Sequence, residues 1–249
     1  MKYSEISHFS HPAHSIRLEH SELPFKCDGC KEAGIGSRYR CTASCDFDLH
    51  VHCAIPSPKI NHPFYTKCSF QFLTRPPGDI PRYCNACEKD VAGFVYHCPA
   101  CGFDLHPCCA KLPMVLEDGE VKLHLYKKVS LSCQRCGRKG RSWSYRSTCK
   151  KYSLHVACVR EMLVESWSEL YGSSSHRGSK GTASASQRVL ETRIPSLKDT
   201  IQASSRKGKG KIKKGWEMAG LALQFVVSAV LGDPGALIAS AIVSLVSRG

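Results

Sequence analysis

The residues of this chain that are best suited to chemistry are its sixteen cysteines and twelve histidines. All the cysteines fall between Cys27 and Cys158, and many of them form Cys-x2-Cys and His-x2-Cys pairs. Thiolates and imidazoles are common ligands of Zn²⁺, and four of them complete a tetrahedral structural site. The start of the chain is polar and lacks the apolar core of a secretory signal, so we expect a reducing compartment. Clustered cysteines there indicate metal binding rather than a disulfide framework.

The cysteine-rich part contains three copies of one pattern. Each copy begins with Cys-x2-Cys and ends with an aromatic residue followed by x-Leu-His-x2-Cys. The second and third copies lie 49 residues apart, both from Cys84 to Cys133 and from His106 to His155. A repeat of this regularity predicts three structural units, each with its closing histidine as a metal ligand.

Metal binding explains how units this short could fold. Each copy of about 50 residues is too small to be stabilised by its own hydrophobic core. Cys-x2-Cys places two thiolates about one tetrahedral edge apart, and His-x2-Cys at the start of a short helix supplies two more ligands. Zinc then contributes on the order of 10 kcal/mol per site. Histidines outside this repeated frame are expected to be ordinary surface residues, namely His8, His20, His52, His97 and His176.

From about residue 8 to residue 168 this arrangement resembles the divergent C1 (DC1) domain family, the Cys/His-rich zinc domains of plants. The most specific marks are the Phe-Asp-Leu-His-x2-Cys-Ala strings that end at Ala54 and Ala110, and the string His-Pro-Ala-His at 11–14. The chain is also similar to the group of proteins named Vacuoleless Gametophytes. The resemblance implies two interleaved zinc sites per module, one using ligands one, four, five and eight, the other ligands two, three, six and seven.

Carried over residue by residue, the resemblance implies about five zinc ions. In the first module the two ligand sets are Cys27, Cys30, His50 and Cys53, and His14, Cys41, Cys45 and His62. In the second module they are Cys84, Cys87, His106 and Cys109, and Cys68, Cys98 and Cys101, with His124 as the nearest fourth candidate. In the third module a single set remains, Cys133, Cys136, His155 and Cys158, because the middle ligand positions fall on Ser147 and Lys150. Cys108 and Cys149 lie outside these sets, and we expect them to be buried, inert thiols.

The predicted fold class is therefore a tandem of small zinc-stabilised α+β modules, C1-like zinc fingers, followed by a disordered basic linker and a short apolar helical tail. The modules are assigned to residues 8–62, 63–118 and 121–168. The linker at 171–215 holds 11 Lys/Arg against 2 Asp/Glu, so it carries +9 of the net charge of +14 of the whole chain. The tail at 216–249 contains two apolar stretches, each too short to span a membrane alone, around a Gly-Asp-Pro-Gly turn.

We expect a non-catalytic adaptor in signalling or stress response, by analogy with the family. Its partner is an unknown protein, and its tail is a candidate tether to anionic membranes. The basic residues that would contact a membrane or a polyanion are Arg206, Lys207, Lys209, Lys211, Lys213 and Lys214. Diacylglycerol binding is disfavoured because the segment between the cysteine pairs is only ten residues long. The expected location is the cytoplasm, including membrane surfaces.

Three alternatives remain open from the sequence. A nuclear protein that binds nucleic acid is less favoured, because no aromatic residues interleave with the basic run. A cross-brace finger that binds histone tails would require Cys84 and Cys87 to close the first module. A thiol oxidoreductase would use a Cys-x2-Cys pair for catalysis instead of for metal binding.

Overall fold

The computed structural model describes residues 4–43, 45–117, 122–128, 130–140, 142–150 and 152–161. The predicted linker at 171–215, its basic run and the predicted tail at 216–249 lie outside the described residues. Among the helices that are described, none is both long and apolar enough to cross a bilayer.

The described chain forms three antiparallel sheets of four strands each. The first contains β1 Glu5–His8, β2 His11–Lys26, β3 Ala33–Cys41 and β4 Asp48–His50. The second contains β5 Lys59–Ile60, β6 Phe70–Leu73, β7 Val95–Cys98 and β8 Phe103–Leu105. The third contains β9 Val115–Glu117, β10 Lys122–Tyr126, β11 Ser144–Ser147 and β12 Ser153–His155. The prediction of small sheet-rich modules in tandem is confirmed.

The last two strands of the three sheets pair in the same register. A buried tyrosine faces the leucine of the Leu-His string across the last two strands of each sheet. These cross-strand pairs are Tyr39 with Leu49, Tyr96 with Leu105, and Tyr145 with Leu154. Each module thus has a small apolar centre that is built from equivalent residues.

Helical residues follow the last strand of each sheet. The helix α1 covers Val51–Ala54 and α2 covers Pro107–Ala110, and each begins directly after a histidine of the repeat. In the third module, residues 156–161 are helical, and we call them the third-module helix. A single turn of helix is not stable by itself. Its role is to place the cysteine of His-x2-Cys on the same side as the histidine.

The second and third modules each dock on the preceding module through an equivalent main-chain hydrogen bond. The N–H of Phe94 donates to the carbonyl of Gly29 at 2.9 Å, and the N–H of Trp143 donates to the carbonyl of Ala86 at 2.8 Å. Gly29 and Ala86 are the third residues of successive Cys-x2-Cys turns. Behind the second contact, one hydrophobic cluster continues from the second module into the third. The modules therefore pack against one another along the chain.

Candidate metal centres

A left-handed residue closes each Cys-x2-Cys turn. Lys31, Glu88 and Gly137 follow the three pairs and have φ angles of 65°, 60° and 69°. Their N–H groups donate to the carbonyl of the first cysteine at 2.9, 2.8 and 2.8 Å. This conformation is unfavourable for residues with a Cβ atom. We infer that metal ligation by the neighbouring cysteines offsets that cost at Lys31 and Glu88.

Three complete tetrads join these turns to the His-x2-Cys strings. In each tetrad all ligand atoms lie within 4.8 Å of one another. The tetrads are Cys27, Cys30, His50 and Cys53; Cys84, Cys87, His106 and Cys109; and Cys133, Cys136, His155 and Cys158. The structure thus brings together every residue that the repeat frame placed in these three sites.

The histidines of these tetrads turn Nδ1 toward the sulfur atoms. The distance from Nδ1 to the second cysteine Sγ is 3.4 Å at His50, 3.4 Å at His106 and 3.5 Å at His155. On the other side of the ring, Nε2 faces the carbonyl oxygen of Ala33 in the first module, at 3.3 Å, and of Asp90 in the second, at 2.9 Å. An N–H donated to a carbonyl fixes the tautomer and leaves Nδ1 as the metal ligand.

The donor set of the third-module tetrad fits a divalent cation. The close contact with the Cys158 thiol lowers the pKa of Cys133 to about 4, and the same contact raises the pKa of Cys158. Sulfur atoms this close must share protons or a cation, and Zn²⁺ stabilises all of them as thiolates. With three thiolates and one imidazole, each tetrad matches a structural zinc site without an open position.

The second site of the first module differs from the prediction in one ligand. His11, His14, Cys41 and Cys45 form the group, with His11 Nε2 at 3.3 Å from Cys41 Sγ and Cys45 Sγ at 3.2 Å from His14 Nδ1. The assignment of His62 to this group is wrong. The ligand that sequence reasoning missed is His11, although the string His-Pro-Ala-His at 11–14 contains it.

His62 has a different role, which explains why it is not in this group. Its ring is buried and stacks on Trp143 of the third module, with ring centroids 4.5 Å apart. Its Nδ1 accepts the N–H of Phe64 at 3.2 Å. Burial, assisted by the nearby charge of Lys127, lowers the pKa of His62 to about 4. His62 is thus a neutral packing residue between the second and third modules.

The fifth group contains three cysteines of the second module. Cys68, Cys98 and Cys101 lie together, and the Sγ atoms of Cys68 and Cys101 are 3.0 Å apart. The hydrogen bond to Cys101 raises the pKa of Cys68 to about 12. His124 does not join them, because it lies on β10 opposite Arg146 and Val115 in the sheet of the third module.

Each of the first two modules has a second metal group besides its Cys-x2-Cys tetrad. Within the described residues, the third module has no such second group. Ser147 pairs with Leu123, as Cys41 pairs with Ile16 in the first sheet, so a hydroxyl replaces a ligand thiol. Cys149 is exposed beside Ser147, with Oγ and Sγ 3.3 Å apart, and the expectation that it is buried is wrong. The expectation holds for Cys108, which is buried.

Two other expectations are corrected by these positions. His8 is buried rather than on the surface, and its ring lies 6.2 Å from that of Phe94. The cross-brace alternative is wrong, because Cys84 and Cys87 lie with His106 and Cys109 of their own module.

Four Cys/His tetrads and a three-cysteine group on three small sheets define a protein of tandem zinc-binding modules. Residues 9–54 and 62–110 each match the family model of the C1 domain. These matches cover the first two modules, and there they confirm the predicted resemblance to DC1 domains. No curated protein and no solved structure matches the chain, so the similarity to the Vacuoleless Gametophytes group stays a prediction.

Proposed function

We propose that this chain is a non-catalytic zinc-binding interaction protein that recognises a protein partner with the surface of its C1 modules. The observation that carries the proposal is the closed character of the four tetrads, each with four protein ligands. Closed zinc sites are structural, whereas catalytic zinc keeps one position for water or substrate. C1-like domains are in general binding modules, and adaptor function in signalling or stress response is part of this proposal.

A partner surface is available on the second module. Residues 73–82, together with Val91, line a cavity of about 810 Å³. Ile80 projects from this segment with 70% of its surface exposed, and Tyr83 beside it is 57% exposed. Arg82 is held in place by Asp104, with Nε and Oδ2 2.5 Å apart. Exposed apolar side chains next to a fixed arginine have the composition of a protein-binding surface.

Site-directed photocrosslinking in cells tests this proposal. A photoreactive amino acid at Ile80 is expected to form a discrete adduct with one partner protein, and the adduct should disappear when Tyr83 is replaced by Asp. The matched control places the same group at Val115, which is 41% exposed on the third module. The proposal fails if positions 80 and 115 give the same adducts, or if position 80 gives none.

We also propose a cytoplasmic location. All sixteen cysteines lie within the described residues, and none of them forms a disulfide bond. Thiolate sites of this kind are maintained in a reducing compartment. The location at membrane surfaces rests on the sequence of the basic run and the tail. Flotation with anionic liposomes tests it, because residues 1–170 are expected to remain unbound while the full chain floats, even at high salt.

A further inference from the structure

Arg160 lies on the third-module helix, but its side chain is enclosed by the first two modules. It is only 5% exposed. Its Nη1 forms an ion pair with Glu32 of the first module, and its Nη2 donates to Cys108 Sγ of the second module at 2.6 Å. One guanidinium group therefore contacts residues of both preceding modules. The next residue, Glu161, strengthens this docking through Lys89 of the second module, with Nζ and Oε1 2.5 Å apart.

Both partners of Arg160 are next to zinc ligands. Glu32 Oε1 lies 3.2 Å from Nε2 of His106, a ligand of the second module. The carbonyl of Glu32 accepts the N–H of Cys27, a ligand of the first module, at 3.0 Å. Cys108 directly precedes the ligand Cys109 in α2. Arg160 is thus connected to ligands of the first-module and second-module sites through a single intervening residue, either Glu32 or Cys108.

The negative charge of the zinc sites explains why a buried cation is needed at Arg160. A site with Zn²⁺, three thiolates and one neutral imidazole has a net charge of −1. Two such sites adjoin Glu32, the second-module site beside its carboxylate and the first-module site beside its backbone carbonyl. Buried negative charges are costly unless a cation compensates them. The guanidinium of Arg160 supplies such a cation and stays protonated at any relevant pH. Its planar group also holds the Glu32 carboxylate in place against the ligand ring of His106.

We propose that Arg160 is a positioning residue for the zinc site formed by Cys84, Cys87, His106 and Cys109, so that docking of the third module controls zinc retention in the second. The proposal concerns regulation of a metal site by a neighbouring module. It does not depend on the identity of a protein partner, so it can fail or succeed independently of the proposed function.

The test compares zinc release from the full, zinc-loaded chain. Arg160→Met removes the charge, Arg160→Lys keeps the charge without the planar group, and Arg138→Met is the matched control at an exposed arginine of the third module. Release into a chromogenic chelator is measured at neutral pH. Mutation of a residue that hydrogen-bonds to a metal ligand typically lowers metal affinity by about 10–100-fold. We expect one equivalent to leave about tenfold faster in Arg160→Met, at an intermediate rate in Arg160→Lys, and at the wild-type rate in the control.

A spectroscopic readout assigns the affected site and guards against a folding defect. In the ¹¹³Cd-loaded chain, Arg160→Met should shift the cadmium resonance that correlates with the ring protons of His106, while the resonance that correlates with His155 stays in place. Glu32→Gln is the second variant, and it should accelerate release of the same equivalent. Equal release from Arg160→Met and Arg138→Met overturns the proposal. So does a uniform acceleration of all equivalents, or a Glu32→Gln variant that releases zinc at the wild-type rate.

Discussion

The N–H of Trp143 donates to the carbonyl of Ala86 inside the Cys-x2-Cys turn of the preceding module, at 2.8 Å. Phe94 makes the equivalent contact with Gly29 one module earlier. The turn that holds two zinc ligands is therefore also the docking site for the next module. Zinc binding and the packing of the modules are coupled through the same few backbone atoms, and this coupling leads to the following predictions.

Gly93 has less room for a Cβ atom than Gly29, the other glycine of the first junction. A Cβ atom there would lie 2.1 Å from the carbonyl oxygen of Gly29. Gly93→Val is expected to separate the first module from the second and to lower the free energy of unfolding by about 1–3 kcal/mol. Chemical denaturation and small-angle scattering measure the two effects. Ala92→Val adds volume at an exposed neighbouring residue and should change neither.

Zinc content distinguishes the roles of His11 and His62. His11→Ala removes a ligand of the group with Cys41 and Cys45, so the protein should bind one zinc ion fewer. His62→Ala removes a ring that packs on Trp143 and should leave the number of bound ions unchanged. Metal analysis of the purified variants measures both numbers. Loss of one ion on replacement of His62, with none lost on replacement of His11, would contradict the assignment.

The stability of the chain should depend on pH through His62. Its pKa is about 4 in the folded protein and about 6.5 in an unfolded chain. Between these values the unfolded state binds the extra proton, so stability decreases as the pH falls from 6.5 toward 4. At pH 5.5 the cost is about 1 kcal/mol.

His62→Phe keeps a ring against Trp143 but cannot be protonated. Urea denaturation of both proteins at pH 7 and pH 5.5 isolates the effect, because protonation of zinc ligands acts on both equally. The wild-type chain should lose about 1 kcal/mol more than the variant between the two pH values. Equal losses in both proteins would show that His62 is already exposed to protons in the folded state.

Alkylation should separate the two cysteines outside the metal groups. Cys149 is exposed, whereas Cys108 is buried against Arg160. Limiting iodoacetamide on the zinc-loaded chain is therefore expected to modify Cys149 first and to leave Cys108 unmodified until the protein unfolds. Peptide mapping by mass spectrometry gives both rates, with Cys149→Ser as the control. Comparable rates at the two residues would show that the junction around Arg160 opens in solution.

The sequence was sufficient for the parts of the structure that depend on local spacing. The three tetrads built from Cys-x2-Cys and His-x2-Cys follow from turns and single helical turns, whose geometry is set within a few residues. Local sequence could not decide whether His11 or His62 completes the group with His14, Cys41 and Cys45. That depends on how β2 pairs with β3 and on the space beside Trp143.

The repeat pattern could not predict the contacts between modules, because these contacts also join residues far apart in the sequence. Arg160 lies two residues after the last cysteine, and its spacing gives no sign that it meets Glu32, which is 128 residues earlier in the chain. His8 likewise appeared to be an ordinary polar residue, although it is buried and its ring lies 6.2 Å from that of Phe94 in the next module. Residues of this kind can be identified only once the relative placement of the modules is known.

The repeated docking contact also determines how such a chain can change in length during evolution. Phe94 and Trp143 each precede the buried tyrosine of their module by two residues, and Ser37 occupies that position before Tyr39 in the first module. The first module therefore lacks the aromatic residue that accompanies the docking contact in the other two modules. Duplication of an internal unit would carry both its aromatic residue and its turn, and the copy could be inserted without any new type of contact.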